Sequence, residues 1–168
     1  GLMSGTSMDG IDASIISSNG IDDFEIMQNK YHKYDDKLLN KLSNLKNKIE
    51  KFEDFKSHLN DLKSLEREIT LLHAKFTNDI LMKFKHKVDL VGFHGHTIYH
   101  NPDEKISKQL GDGKLLSQLI KKKVVYNFRE NDIKSNGNGA PLAPIYHYAI
   151  AKKMNINNVT FLNIGGIS

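Results

Sequence analysis

The pattern of apolar and polar residues near the N-terminus predicts two strands joined by a tight turn. Residues 1–10 are rich in turn formers, and the short apolar run Ile11–Ser17 follows them. Asn19-Gly20 is typical of a hairpin turn, and Phe24–Tyr34 alternates well enough to pair as an antiparallel strand. The sequence therefore predicts a hairpin preceded by a loop of glycine, serine and threonine.

Residues 35–87 have the periodicity of helices. Asp35 or Asp36 is a candidate N-cap for the first of them. The segment contains two successive apolar stripes. Each stripe lies on one face of a predicted helix, with charged residues on the other sides. The first comprises Leu38, Leu42, Leu45, Ile49 and Phe52; the second comprises Leu59, Leu62, Leu65, Ile69, Leu72, Phe76 and Ile80. We expect this helical block to pack on the sheet of the same domain, with a coiled-coil partner surface as the alternative.

The second half alternates strand and helix patterns, which indicates an α/β fold. Val88–Phe93 is a candidate buried strand that brings His94-Gly95-His96-Thr97 to its C-terminal end, where open α/β sheets bind ligands. The other elements expected are a helix at Leu115–Lys123, a strand at Val124–Phe128, a helix from Pro141 to about Lys153 and a strand at Val159–Ile164.

Composition narrows the classes of protein. The chain has 168 residues, no cysteine and a net charge of +4, and no apolar run is long enough to span a bilayer. These features exclude disulfides and thiolate chemistry and make the cytoplasm the expected compartment. Only Arg67 and Arg129 are arginines, and the lysines are interleaved with acidic residues. We therefore expect neither a membrane nor a nucleic acid as partner, with a basic nucleic-acid-binding module as the alternative.

The first cluster with candidate chemistry is residues 4–12, SGTSMDGID. Glycines allow backbone N–H groups to approach an anion, hydroxyls donate to phosphate oxygens, and Asp9 or Asp12 is a candidate Mg²⁺ ligand. The segment lacks the Gly-Lys-Ser/Thr ending of a P-loop. An ordinary glycine and serine hairpin is the alternative.

The second cluster is His94-Gly95-His96-Thr97, with His100 close behind. Imidazole, hydroxyl and amide groups at a strand end suit a sugar ligand. A metal site is a weaker alternative, because the carboxylates and helical spacing of a zinc site are missing. A simple turn with hydrogen-bonded histidines also fits.

The third cluster joins Asp132 to the glycine-rich segment 136–142. A carboxylate near a strand end, beside a glycine-rich loop that opens a helix, has the fixed position that a general base needs. A helix cap or a surface carboxylate is the equal alternative on these residues alone.

Five segments in order resemble the successive conserved blocks of the anhydro-N-acetylmuramic acid kinase family: LMSGTSMDGID, GFHGHTIYHNP, LGDGKLLSQLI, NFREND with NGNGAPLAP, and FLNIGGIS. The resemblance implies an actin, sugar-kinase and Hsp70-like (ribonuclease H-like) fold, a mixed sheet with flanking helices and a helical insertion at about 35–87. Residues 1–168 would be the N-terminal sugar- and phosphate-binding domain, with the nucleotide-side domain beginning at about 159–168 and the C-terminal half absent. The chain alone is expected to be inactive.

The resemblance implies ATP and Mg²⁺ as cofactors and 1,6-anhydro-N-acetylmuramic acid as substrate, opened by water while O6 is phosphorylated. Asp132 would be the catalytic base, and Asp9 would hold Mg²⁺, directly or through water. The residues implied for the ATP phosphates are Gly5, Thr6, Ser7, Met8, Asp9, Gly10, Ile11 and Asp12. Those implied for the sugar are Gly95, His96, Thr97, Arg129, Gly139 and Pro141.

The sequence departs from the family pattern at three places. His96 stands where the family commonly has Gln, Asn127 where it has Asp, and Asn136 and Asn138 lie in its Gly-Gly-Gln-Gly segment. Another sugar kinase of the same superfold and an inactive sugar-sensing domain are the alternatives. Family members are often dimers, so a homodimer is also an expectation.

Overall fold

The computed structural model describes residues 1–5 and 7–162, and its N-terminal part is the expected hairpin. Strands β1 (Leu2–Ser4), β2 (Gly10–Ser18) and β3 (Phe24–Lys33) form an antiparallel meander. The side chain of Asn19 closes the β2–β3 turn, because its Oδ1 accepts hydrogen bonds from the backbone N–H groups of residues 21–23. One expectation is corrected: β1 lies within the segment 1–10 that the turn formers had suggested was loop.

The helical block contains α1 (Asp36–Lys46), α2 (Asp54–Ser57) and α3 (Leu59–Lys83). Asp35 is the N-cap of α1, and its carboxylate accepts the N–H of Leu38 at 2.7 Å. The first apolar stripe does not form a single helix up to Phe52, because α1 ends at Lys46. Ile49 is still buried beyond the helix end, whereas Phe52 is half exposed. The longer stripe forms α3 as expected.

The second half contains β4 (Leu90–Asn101), β5 (Ile106–Leu110), α4 (Gly113–Ile120), β6 (Lys123–Tyr126), α5 (Glu130–Lys134) and α6 (Pro144–Lys153). The strand order is β3-β2-β1-β4-β5, and β6 also pairs with β4. β1 and β6 run parallel to β4, whereas β5 runs antiparallel to it. This is a mixed sheet in an α/β fold, as expected.

Three expectations for this half are wrong. Residues 94–97 lie inside β4 rather than after it, because pairing with β5 extends the strand to Asn101. The last helix begins at Pro144, which takes the first-turn position expected for Pro141. Residues 159–162 are not a strand: their side chains are exposed, and no described strand pairs with them. The rest of that expected strand lies outside the described residues.

The helices α1, α3 and α4 cover one face of the sheet. One apolar cluster joins α1 and α3 to Ile11, Ile98 and Leu110 of the sheet. A second joins α3 and α4 to Val91 and Phe93 of β4. The opposite face is less covered, and Met3 and Ile16 are about half exposed there. Packing of the helical block on the sheet agrees with the first of the two readings of its stripes.

Candidate functional site

Three parallel strands bring the candidate clusters to one edge of the sheet. Ser4 at the end of β1 is in register with His96 of β4, and Tyr126 at the end of β6 is in register with Phe93. The loop after β1 and the segment after β6 therefore leave the sheet on either side of the central part of β4. Because ligands of α/β sheets bind at the carboxyl ends of strands, this edge is the candidate site.

A β-bulge at residues 94–95 divides β4 into two halves. Leu2 pairs with Phe93 and Ser4 with His96, so three residue steps along β4 stand opposite two along β1. Gly95 has a φ of +72°, and a Cβ there would lie 2.4 Å from the carbonyl oxygen of Leu110. Glycine accommodates both the positive φ and the close approach of the Leu110 carbonyl oxygen. The bulge places the side chains of His94 and His96 on opposite faces of the sheet.

His96 lies on the face that the helices cover. It is fully buried, and its Nδ1 lies 3.0 Å from Ser4 Oγ, which also accepts the Tyr34 hydroxyl at 2.8 Å. Its Nε2 has no hydrogen-bond partner among the described residues. Burial lowers the pKa of His96 to about 4, so the ring is neutral at pH 7. This buried contact ties the end of β1 to β4.

His94 lies on the opposite face and begins a chain of hydrogen bonds. Its Nδ1 donates to the carbonyl oxygen of Gly95 at 3.0 Å, which leaves Nε2 to accept from Arg129 Nε at 3.2 Å and Nη2 at 3.0 Å. Arg129 Nη1 donates to the carbonyl oxygen of Gly139 at 2.7 Å. Burial, followed by the nearby guanidinium cation, lowers the pKa of His94 below its ordinary value.

The chain of hydrogen bonds ends at Asp132. The N–H of Gly139 donates to Asp132 Oδ2 at 2.7 Å, which orients an otherwise exposed carboxylate. Gly137 also lies against this carboxylate: a Cβ there would lie 2.3 Å from the same oxygen, so a larger residue would push the Asp132 side chain aside. Asp132 lies on α5, a short helix that the sequence analysis did not predict.

A cavity opens beside His94, the one residue of this network that lines it. β6 pairs with β4 as far as Phe93, whereas β5 pairs from His96 onward, so a gap remains beside the bulge. The cavity has a volume of about 380 Å³, and its lining includes Phe93, His94, Gln109, Gly111, Asn127 and Glu130. This size is enough for a small polar ligand.

The loop after β1 contains the phosphate-binding candidates. The N–H of Met8 donates to the carbonyl oxygen of Gly5 at 3.1 Å, and Met8 has a φ of +59°. Ser7 Oγ donates to Asp9 Oδ1, and this hydrogen bond is the main cause of a lowered pKa at the exposed Asp9. Gly10, Ile11 and Asp12 belong to β2, and Thr6 lies outside the described residues. An ionised, exposed carboxylate beside hydroxyl groups fits a hydrated Mg²⁺.

The structure brings some of the predicted residues together and separates others. Arg129, Gly139 and Asp132 form one network, whereas His96 lies across the sheet from it. Thr97 Oγ1 accepts from Gln109 at 3.3 Å, and Pro141 is exposed after a cis peptide bond. His94 belongs to the second candidate cluster, but it is not among the residues that the resemblance implies for the sugar.

Comparison with known proteins identifies the family. The family model described as anhydro-N-acetylmuramic acid kinase matches residues 1–168. The chain belongs to this family. Relatives named anhydro-N-acetylmuramic acid kinase are 53% identical in Pelagibacter ubique, 40% in Rhizobium etli and 38% in Brucella canis, each over the whole of this chain.

The chain corresponds to the N-terminal part of these kinases. It spans 45% to 47% of their length. Among the described residues, no helix has the length and apolar character required to cross a membrane.

Proposed function

We propose that the full-length protein carrying this chain converts ATP, water and 1,6-anhydro-N-acetylmuramic acid into ADP and N-acetylmuramic acid 6-phosphate, in the recycling of peptidoglycan. The observation that supports this most is the chain of hydrogen bonds from His94, which lines a cavity of about 380 Å³, through Arg129 and Gly139 to Asp132. The family of the chain and the names of its relatives support the same reaction.

Asp132 would be the general base. Its carboxylate takes a proton from a water molecule whose oxygen attacks the anomeric carbon. The bond between that carbon and O6 breaks, and its electron pair stays on O6. O6 then attacks the γ-phosphorus in line, and ADP leaves. The hydrogen bond from Gly139 N–H fixes the carboxylate while leaving it at the protein surface, where a sugar and a water can reach it.

On the phosphate side, Gly5 to Asp12 would contact the ATP phosphates, with Asp9 holding Mg²⁺ directly or through water. The metal would offset negative charge on the phosphoryl group. Exposure of Asp9 and the hydrogen bond from Ser7, which favours the ionised carboxylate, support this role.

On the sugar side, Gly95, Thr97, Arg129, Gly139 and Pro141 would surround the substrate. His96 has no exposed surface, so its contribution to the pocket would be to hold Ser4 and the loop that follows. The actin and Hsp70-like superfold, the division into a sugar-side and a nucleotide-side domain, a cytoplasmic location and a homodimer belong to the same proposal.

The test is to incubate the full-length protein with ATP, Mg²⁺ and the anhydro-sugar and to follow the sugar by mass spectrometry. We expect a product heavier by one water and one phosphoryl group, lost in Asp132→Asn and kept in the matched surface variant Asp103→Asn. ADP formed with a different sugar would indicate another sugar kinase. Binding of the anhydro-sugar without turnover would indicate a sugar-sensing protein.

A further inference from the structure

Two short segments, 82–90 and 119–125, account for the net positive charge of the chain. Together they contain Lys83, Lys85, Lys87, Lys121, Lys122 and Lys123, with Asp89 as their only acidic residue. The combined net charge of the two segments is larger than the +4 of the whole chain, so the rest of the chain carries a slight net negative charge. The sequence separates the two segments by about thirty residues, and the lysines therefore look dispersed along the chain.

The fold joins these segments into one surface, which we call the basic end. Leu90 at the start of β4 is in register with Lys123 at the start of β6. Asn78 Nδ2 of α3 donates to the carbonyl oxygen of Leu119 at 3.5 Å, which holds the end of α4 against α3. Because β4 and β6 are parallel, the basic end lies at the opposite end of these strands from the candidate site.

Charges at the basic end lie close enough to interact. Lys87 Nζ lies 2.7 Å from Asp89 Oδ1. This contact lowers the pKa of the Asp89 carboxyl, and Lys122 and Lys123 lower it further. One carboxylate thus faces lysines from both segments, which leaves a strong excess of positive charge on this surface.

Exposed apolar side chains lie among these lysines. Met82 is 76% exposed and Leu90 56% exposed, and Leu119 is also exposed. Lysine and aliphatic side chains together suit the surface of an anionic bilayer, where the ammonium groups meet lipid headgroups and the apolar groups enter the interface. Nucleic-acid sites instead favour arginine and exposed aromatic side chains that stack on bases. Arg67 and Arg129 lie outside both segments, and Phe84, the one Phe, Tyr or Trp residue within them, is only partly exposed.

We propose that the basic end is a docking surface for membranes rich in anionic phospholipid, which places the protein at a bilayer surface without a membrane-spanning helix. The expectation of no membrane partner rests on the absence of a long apolar run, which bears on membrane spans and not on surface docking. Docking of this kind is independent of the proposed kinase activity, since the two surfaces lie at opposite ends of the strands.

The test is co-sedimentation of the full-length protein with vesicles of phosphatidylcholine mixed with phosphatidylglycerol, compared with phosphatidylcholine alone. The test variant is the triple change Lys83→Glu, Lys85→Glu and Lys122→Glu. The matched control, Lys37→Glu, Lys48→Glu and Lys63→Glu, makes the same change in net charge at exposed positions on α1, just after α1 and on α3. A second variant, Met82→Ser with Leu90→Ser, removes the apolar part at constant charge.

We expect binding to the anionic vesicles only, falling steeply as salt rises to about 0.5 M. The test triple should weaken binding about tenfold or more, whereas the control triple retains most of it. The variant Met82→Ser with Leu90→Ser should weaken the residual vesicle binding that remains at high salt. Equal binding to both vesicle types, or equal loss in the two triples, would overturn the proposal. Tighter binding to duplex DNA or RNA than to anionic vesicles would also overturn it.

Discussion

At the scale of single residues, Arg129 is the side chain that connects most of the candidate site. Its guanidinium donates to His94 on β4 and to the carbonyl oxygen of Gly139, whose N–H in turn holds Asp132. Bridging two acceptors in this way uses the planar fork of arginine, and a lysine ammonium has no equivalent geometry. Arg129 therefore positions the carboxylate through the backbone of the glycine-rich loop.

Arg129→Lys should lower the kcat/KM of the full-length protein by about tenfold or more, because a charge-assisted hydrogen bond contributes roughly 1.5–3 kcal/mol. Steady-state kinetics with the anhydro-sugar would measure this. Arg67→Lys is the matched control, since Arg67 is the other arginine of the chain and lies exposed on α3. Equal activity of Arg129→Lys and the unmodified protein would contradict the positioning role.

At the scale of elements, β4 is the strand that organises the site. Its first half pairs with β6, its second half with β5, and β1 spans the bulge between them. Apolar residues on both sides of the bulge still face the helices, because the extra residue restores the alternation. The bulge thus turns His94 toward Arg129 without exposing the core.

Gly95→Ala should destabilise the protein by about 3 kcal/mol or more, since the new Cβ meets the Leu110 carbonyl oxygen and forces a left-handed backbone on alanine. Gly92→Ala is the control in the same strand: its Cβ would meet only the Phe128 ring, at 3.5 Å, an ordinary contact. We expect that change to cost less than about 1 kcal/mol. Denaturant unfolding of both variants measures the difference, and equal stabilities would refute the account of the bulge.

At the scale of the whole molecule, the sheet and the helices on its covered face enclose two neutral histidines. His73 of α3 and His96 of β4 are fully buried, and the Nε2 of each has no hydrogen-bond partner among the described residues. Burial lowers the pKa of both side chains to about 4. Protonation of either ring would place a charge between the two layers, where little water can solvate it.

Stability should therefore fall as the pH drops from about 6.5 to about 4. In this window the unfolded chain, with ordinary histidine pKa values, binds more protons than the folded chain, at a cost on the order of 3 kcal/mol for each histidine. Denaturant unfolding across this range measures the effect. His96→Gln should reduce the slope, whereas His86→Gln, at an exposed position, should not. A constant unfolding free energy down to pH 4 would contradict this prediction.

The sequence by itself determined the features that depend on neighbouring residues. The hairpin turn at Asn19-Gly20, the N-cap at Asp35 and the stripe that forms α3 follow from local hydrogen bonds and helical periodicity, and each lies where the pattern predicted it. The family was likewise recognisable from the order of five short blocks, and the comparison with known proteins confirmed it.

Only the tertiary structure decided which residues face one another. Alternation alone would place His94 and His96 on the same face of β4, and the bulge that separates them depends on pairing with β1. β5 was missed because a five-residue strand with mixed polarity is specified by its partner rather than by its own pattern. The two lysine segments form one surface because β6 pairs in parallel with β4, and such contacts between distant segments have no local signal in the sequence.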